Sequence, residues 1–271
     1  MKYKLNILRK LVSFWPTRYL YLIFVRLFYS NFKIEENELD AYPNLNIKNI
    51  LVDLKTNGVS ETFLVEEENL LKIINKCNNN VAVSKMDPKN IQKITYESPE
   101  NIFQNDFLFE YESVENWAEV NAIIRSKSVL KVARNYLGVE PIIHNVNLFW
   151  SFPFRNILGE EMDTPYYGFH YDIDDVKFVK LFLYVTPCDQ DSGPHIVIKG
   201  THRDKSIYKF KNRRITNIDA IRLYKDRVVE FIGPRGTSFF EDTFGYHKGK
   251  NPLKPRLIFQ VEFGVSKSKL G

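Results

Sequence analysis

The sequence predicts an α+β chain, mainly β in its second half, in which helices support an all-β barrel or sandwich. Three observations lead there. Before Gly138 the apolar residues recur at helical spacing; beyond it, short β-branched and aromatic runs alternate with turns. Helices first and many short strands afterwards is the order of a sheet fold with its helices gathered to one side. The chain is 271 residues long and 44% hydrophobic, enough for one large domain or two small ones with a buried core. Its charged fraction, 26%, is ordinary and argues against wholesale disorder.

Taken in order, Pro16 is expected to separate two short helices, because it has no N–H to donate. Residues 35–40 are acidic and polar and read as a connector. Residues 50–58 read as strand or turn, ending at Asn57-Gly58, and residues 66–77 as a helix with Leu70, Leu71, Ile73 and Ile74 on its apolar stripe. Residues 81–111 carry no clear period. Residues 114–137 read as one helix closed by Gly138. Strands are expected at 142–152, 179–186, 194–198, 227–232, 237–240 and 257–263, so the β part begins at about residue 140.

Charge is unevenly spread. Residues 1–33 contain seven Lys or Arg and no Asp or Glu, a charge of +7 against +5 for the whole chain. The body beyond is therefore nearly neutral, which argues against nucleic acid as a partner. The same arm carries Tyr3, Phe14, Trp15, Tyr19, Tyr21, Phe24, Phe28, Tyr29 and Phe32. Its longest apolar run, residues 19–25, is far short of the ~20 residues a spanning helix needs. Two readings stay open: a helix lying in a membrane interface with its cations toward anionic head groups, or an arm packed on the protein's own core. Cys77 and Cys188 are the only cysteines, which excludes a disulfide framework and a four-cysteine zinc site. A reducing compartment follows, so the expected location is cytoplasmic, with the inner face of a membrane as the variant the arm suggests.

The chemistry concentrates in the second half. His170 and Asp172 stand two apart, and on an extended strand such residues share a face. His247 lies 77 residues on and offers a third ligand. Two histidines and a carboxylate on one face, with other positions open, suit non-haem Fe(II) that activates dioxygen. A His-x-Asp triplet alone fits a hydrogen-bonded histidine equally well, so the context decides. Arg256 opens the last long strand, where a guanidinium suits either a bidentate grip on a carboxylate or a surface salt bridge. His144 has no motif around it, His195 reads as a strand residue supporting the site, and His202 and Arg203 read as bracing a turn.

Here the residues resemble a known family. Asp191-Ser192-Gly193-Pro194-His195 through Gly200-Thr201-His202-Arg203 is similar to the Asn-Gly-Pro … Pro-Gly-Ser-His-Arg segment of the phytanoyl-CoA dioxygenase-like Fe(II)/2-oxoglutarate oxygenases. Residues 54–58 resemble the family's early Asn-Gly turn, and Tyr136-Leu137-Gly138 its Leu-Leu-Gly. His170-x-Asp172 and His247-x-Gly249 match its metal ligands, and Arg256 its cosubstrate arginine. The resemblance spans about residues 49–263, and several motifs in one order are more specific than any alone.

It implies a double-stranded β-helix, a jelly-roll or cupin-like barrel, within a single domain over residues 34–271. Fe(II) would sit on His170, Asp172 and His247, and 2-oxoglutarate would reach Arg256 with its far carboxylate. With O2, the cosubstrate would leave as succinate and CO2 while a substrate C–H is hydroxylated. Halogenating relatives carry a small residue where Asp172 stands, so hydroxylation is favoured, with desaturation and epimerisation open. Lys248-Gly249-Lys250 lacks the hydroxyl or amide the family often places there. Asn147, Trp150 and Ser151 are the candidates for further contacts to the cosubstrate.

Residues 204–229 form a long insertion with eight Lys or Arg against three Asp, a charge of +5. It reads either as a solvated face or as a substrate rim, with Arg213, Arg214 and Tyr167 as rim candidates. A basic rim suits a small anionic substrate, including a lipid- or sugar-linked one. Two other classes compete: a catalytically silent barrel relative that binds a ligand, and a metal-dependent barrel enzyme that uses no 2-oxoglutarate.

Overall fold

A computed structural model of the chain describes residues 14–28, 33–84, 91–97, 107–153, 168–204 and 206–266, without the side chains of Arg26 and Phe28. At its centre runs Phe178–Tyr184 (β7), buried along its whole length. Six of its seven residues are apolar or aromatic, as a strand covered on both faces requires. The exception is Lys180.

Around β7 is an eight-stranded sheet in the order β1-β11-β7-β13-β5-β4-β2-β3. Its other strands are Phe63–Leu64 (β1), Ala82–Ser84 (β2), Lys93–Ile94 (β3), Leu108–Tyr111 (β4), Ile142–Ser151 (β5), Thr237–Glu241 (β11) and Arg256–Gly264 (β13). A five-stranded sheet runs β10-β8-β12-β6-β9, from Phe169–His170 (β6), His195–Ile198 (β8), Arg214–Ile215 (β9), Val228–Phe231 (β10) and His247–Gly249 (β12). The named pairings are antiparallel. Strand alternation divides the large sheet into two faces. Phe182, Tyr184, Phe239 and Ile258 pack against Val197 and Phe231 of the small sheet. Leu181, Leu183, Phe259, Val261 and Phe263 belong to the larger core that also holds the helices. The expected strands are all present, and the two sheets form a sandwich.

The helical half differs from expectation in two places. Residues 50–57 are helical: α2 spans Ile47–Asn57, capped by the Asn46 side chain accepting from Asn49 N, and it ends at Gly58 with φ 79°. Ile50 and Leu54, one turn apart, face the core. The predicted helix over 66–77 is α3, Glu67–Asn78. Residues 114–137 are not one helix. A 3-10 turn at Val114–Asn116 precedes α4, Ala118–Ile124, and α5, Lys127–Leu137. Ser126 is extended between them, and the carboxylate of Asp40 accepts from Ser128 N at 3.0 Å, Ser128 Oγ at 2.7 Å and Ser126 Oγ. A remote acid thus starts a new helix by accepting from one of its free N–H groups and from two hydroxyls beside it.

The described part of the arm is one helix, α1, Trp15–Phe28. Pro16 falls in its first turn, where no N–H partner is lost; what precedes residue 14 lies outside the described residues. Val25 is buried, Arg18 donates to Val176 O, and its guanidinium carbon lies 3.7 Å from the centre of the Phe244 ring. The insertion folds into α6, Ile207–Lys211, then β9, then α7, Asn217–Tyr224. Ile215 and Ala220 join the core that holds Ile196 and Ile198, the outward residues of β8. Among the described residues no helix is long and apolar enough to cross a membrane.

The Asp40 cap is testable. Replacing it (Asp40→Ala) should cost about 1–2 kcal/mol at neutral pH in denaturant unfolding. Its hydrogen bonds to Ser126 and Ser128 outweigh burial and hold the carboxyl below 3.8. A lowered folded value means stability present above 3.8 and lost as pH falls through the folded value, so the gap to wild type should close in acid.

Candidate metal centre

The small sheet brings the two candidate histidines face to face. His247 pairs directly with His170 across β12 and β6, and their ring centres lie 4.5 Å apart. Past the end of β6, Asp172 N donates to Thr243 O at 2.8 Å, which turns the Asp172 carboxylate back toward both rings. His170 Nε2 lies 3.8 Å from Asp172 Oδ1, and His247 Nε2 lies 3.6 Å from Asp172 Oδ2. One ligand atom from each residue fits within 4.8 Å of the others.

Both imidazoles are set for coordination through Nε2. His170 Nδ1 faces Gly168 O at 2.9 Å and His247 Nδ1 faces Gly245 O at 3.1 Å, so each donates its proton to a carbonyl and leaves the Nε2 lone pair free. Burial lowers both groups, and His247 reaches about 4, further depressed by His170. Both rings are therefore neutral near pH 7. Burial would raise Asp172, but Lys180, His247 and His170 hold it well below the ordinary carboxylate value. Two neutral nitrogens and one anionic oxygen, converging without competing protons, fit a divalent non-haem metal such as Fe(II).

Lys180 is the largest addition to what the motif shows. Its Nζ lies 2.8 Å from Asp172 Oδ2, 3.2 Å from Asp174 Oδ2 and 3.3 Å from Glu262 Oε2. Glu262 is 3.1 Å from His144 Nδ1, and His144 Nε2 is 2.7 Å from Ser266 O. His144 is thus structural, as expected. Burial lowers Lys180, but the three carboxylates raise it well above its ordinary value. Burial pushes Asp174 up to about 6. The sequence signal for this cluster was a lone charge, Lys180, in the apolar strand Phe178–Tyr184 and a second charge, Glu262, inside the strand Arg256–Gly264.

His195 stands on the other side of His247. Its ring lies tilted against Phe182 at 4.8 Å and stacks on His247 at 5.5 Å, and its Nε2 lies 2.6 Å from Glu241 Oε2. Burial pushes Glu241 up to about 8, while burial and then Arg256 push His195 down to about 3. The pair is therefore neutral at pH 7, with the Glu241 carboxyl donating to the imidazole.

Arg256 opens β13 opposite Ser151 on β5. It is buried, donates through Nη1 to Gly193 O, and sits 5.7 Å from the Tyr184 ring centre. Its Nε has no partner, and among the described residues no carboxylate lies within ion-pair distance. A buried guanidinium so under-satisfied fits an anionic group supplied from outside the chain.

The other predicted contacts separate by strand alternation. Ser151 and Asn147 lie on the face of β5 that Arg256 and Gln260 share, and Gln260 Nε2 donates to Asn147 Oδ1 at 3.3 Å. Trp150 is a correction: it lies on the opposite face, packed 5.7 Å from Tyr96 and 6.1 Å from Phe152, and does not face the centre. Arg214 pairs across from His170 on the exposed edge strand, and its charge helps lower that histidine. Arg213 turns away, its Nε donating to Tyr171 O at 3.1 Å. Tyr167 lies outside the described residues. Lys209, counted among the insertion's cations, is buried, donating to Thr201 O and Phe244 O at 2.6 Å each.

The chain matches no protein-family model, the phytanoyl-CoA dioxygenase-like one included, and no curated protein. Solved structures do match. HygX from Streptomyces hygroscopicus, with nickel, 2-oxoglutarate and hygromycin B bound, superposes with a TM-score of 0.56 at 10% identity, over 81% of this chain and 87% of that one. EctD from S. alaskensis, with bound Fe, gives 0.54 at 15% identity over 87% and 85%. SnoN, a non-heme alpha ketoglutarate dependent epimerase from nogalamycin biosynthesis, gives 0.55 at 7% identity over 80% and 82%. The chain shares their fold. At these identities the likeness is one of architecture, and the chemistry rests on the residues above.

Lys180→Met removes the cation shared by Asp172, Asp174 and Glu262 and should destabilise the protein by about 3–5 kcal/mol in thermal or denaturant unfolding. Adding Glu262→Gln should restore part of that loss.

Proposed function

We propose that this chain is an Fe(II)- and 2-oxoglutarate-dependent dioxygenase that hydroxylates a C–H bond of a small anionic substrate. The observation that carries the reading is the convergence of His170 Nε2, His247 Nε2 and the Asp172 carboxylate within 4.8 Å, both imidazoles held neutral and in one tautomer. Bound there, Fe(II) with 2-oxoglutarate and O2 would supply the oxidation of a C–H bond, with release of succinate and CO2.

The chain's own residues divide the remaining work. His170, Asp172 and His247 hold the metal from one side. Lys180 keeps Asp172 ionised and fixes its direction. Arg256 binds the far carboxylate of 2-oxoglutarate, with Ser151 and Asn147 on the same face of the neighbouring strand. The neutral Glu241–His195 pair adds no charge beside His247, so the cosubstrate's negative charge is matched by Arg256 and the metal. Phe182 and Phe239, stacked 5.1 Å apart, exclude water behind that pair. Arg214, exposed beside His170, attracts an anionic substrate. The free, buried cysteines agree with a reducing, cytoplasmic setting.

Succinate release measured by NMR, with Fe(II), 2-oxoglutarate and air but no substrate, tests this reading. Slow turnover should appear in the wild type and vanish in His170→Ala. Arg256→Met should raise the half-saturating 2-oxoglutarate concentration by about 10- to 100-fold, as loss of a charge-assisted pair requires. Iron-loaded wild type that never consumes 2-oxoglutarate would refute it.

A further inference from the structure

Helix α1 divides cleanly around its axis. Arg18, Leu22 and Val25 point to the body, where Val25 is fully buried and Leu22 packs on the core. On the arc away from the body, Leu20, Ile23, Phe24 and Leu27 are 38–69% exposed, and Trp15 and Tyr19, also exposed, flank that arc next to Leu22. A helix resting on a protein in water carries charged or polar residues on its outer side. Here every described side chain of that arc is apolar or aromatic.

The surface continues beyond the helix. Phe14 meets Phe210 of α6 edge to face, 5.8 Å between ring centres, and Ile207 beside it is 72% exposed. Between the two helices opens a cavity of about 530 Å3, walled in part by Trp15, Tyr19, Leu22, Phe210 and Phe244. The patch therefore has depth as well as area. Aromatic rings mixed with Leu and Ile are the composition of a surface that enters the boundary between head groups and acyl chains.

We propose that α1 and α6 together seat the protein on a bilayer rich in anionic lipid. Charge selects this occupant. Besides Arg18, which is turned into the body, the 33-residue arm carries six further Lys or Arg and no carboxylate, which complements anionic head groups. A second copy of the chain would bring an identical +7 segment against the first, a like-charge juxtaposition that association disfavours. The arm thus serves both open expectations of the sequence at once: one side packs on the core and the other meets lipid.

The test uses the full chain and sedimentation with vesicles of phosphatidylcholine, with and without about 30% phosphatidylglycerol. Binding should be at least about tenfold tighter to the anionic vesicles and should weaken in high salt. Leu20→Glu/Leu27→Glu, at positions that touch little of the body, should lower it by about tenfold or more while leaving the thermal transition unchanged. As an independent readout, wild-type tryptophan emission should shift to the blue on adding anionic vesicles, and Trp15→Phe should remove that shift. Equal binding by wild type and the double variant, or no binding at all, would overturn the proposal. So would a homodimer that the double substitution dissociates in protein that ignores vesicles.

Discussion

The register that sets His247 opposite His170 is the constraint on which the rest of the site depends. It brings two rings 77 residues apart in sequence into contact without help from a loop. Because paired residues share a face, the same register aims both rings at the large sheet, where β7, β11 and β13 supply Lys180, Glu241 and Arg256. A slip of one residue would turn His247 outward and place Lys248 against the core.

The space between the sheets is unusually rich in charge. Lys180, Glu262, Glu241 and Arg256 are all buried. Such groups cost desolvation, and a core of hydrocarbon would be the more stable choice. They are arranged in two different ways. Around Asp172 the charges are paired, which fixes a carboxylate's direction and keeps it ionised. Around His195 they are neutralised by proton placement, with Glu241 protonated and the imidazole neutral. Arg256 belongs to neither group: it is buried, and its Nε has no partner among the described residues.

Much of this was legible in the sequence, and the failures have physical causes. The grouping of His170, Asp172 and His247 was legible because a histidine and a carboxylate two apart on a strand share a face and the family motif order pointed to the distant histidine. Lys180, Glu241 and Glu262 were not, since their roles come from cross-strand pairing over long separations. Trp150 was placed beside the cosubstrate because strand alternation has a parity that sequence alone leaves unset. The single helix expected over 114–137 failed through Asp40, 86 residues from the Ser126 it bonds. Arg18 and Lys209 enter the sequence reading only as charges of the arm and the insertion, yet both settle against aromatic rings, 3.7 and 4.2 Å from the centre of Phe244.

The most direct measurement is an anaerobic titration of the metal-free protein with Fe(II) and then 2-oxoglutarate, followed in the visible range. A keto acid chelated to Fe(II) gives a weak charge-transfer band, so one observation reports metal and cosubstrate together and needs no substrate. The band should appear in wild type and be absent in His247→Ala. Iron binding without the band would contradict the 2-oxoglutarate chemistry, and failure to bind iron would favour a catalytically silent relative.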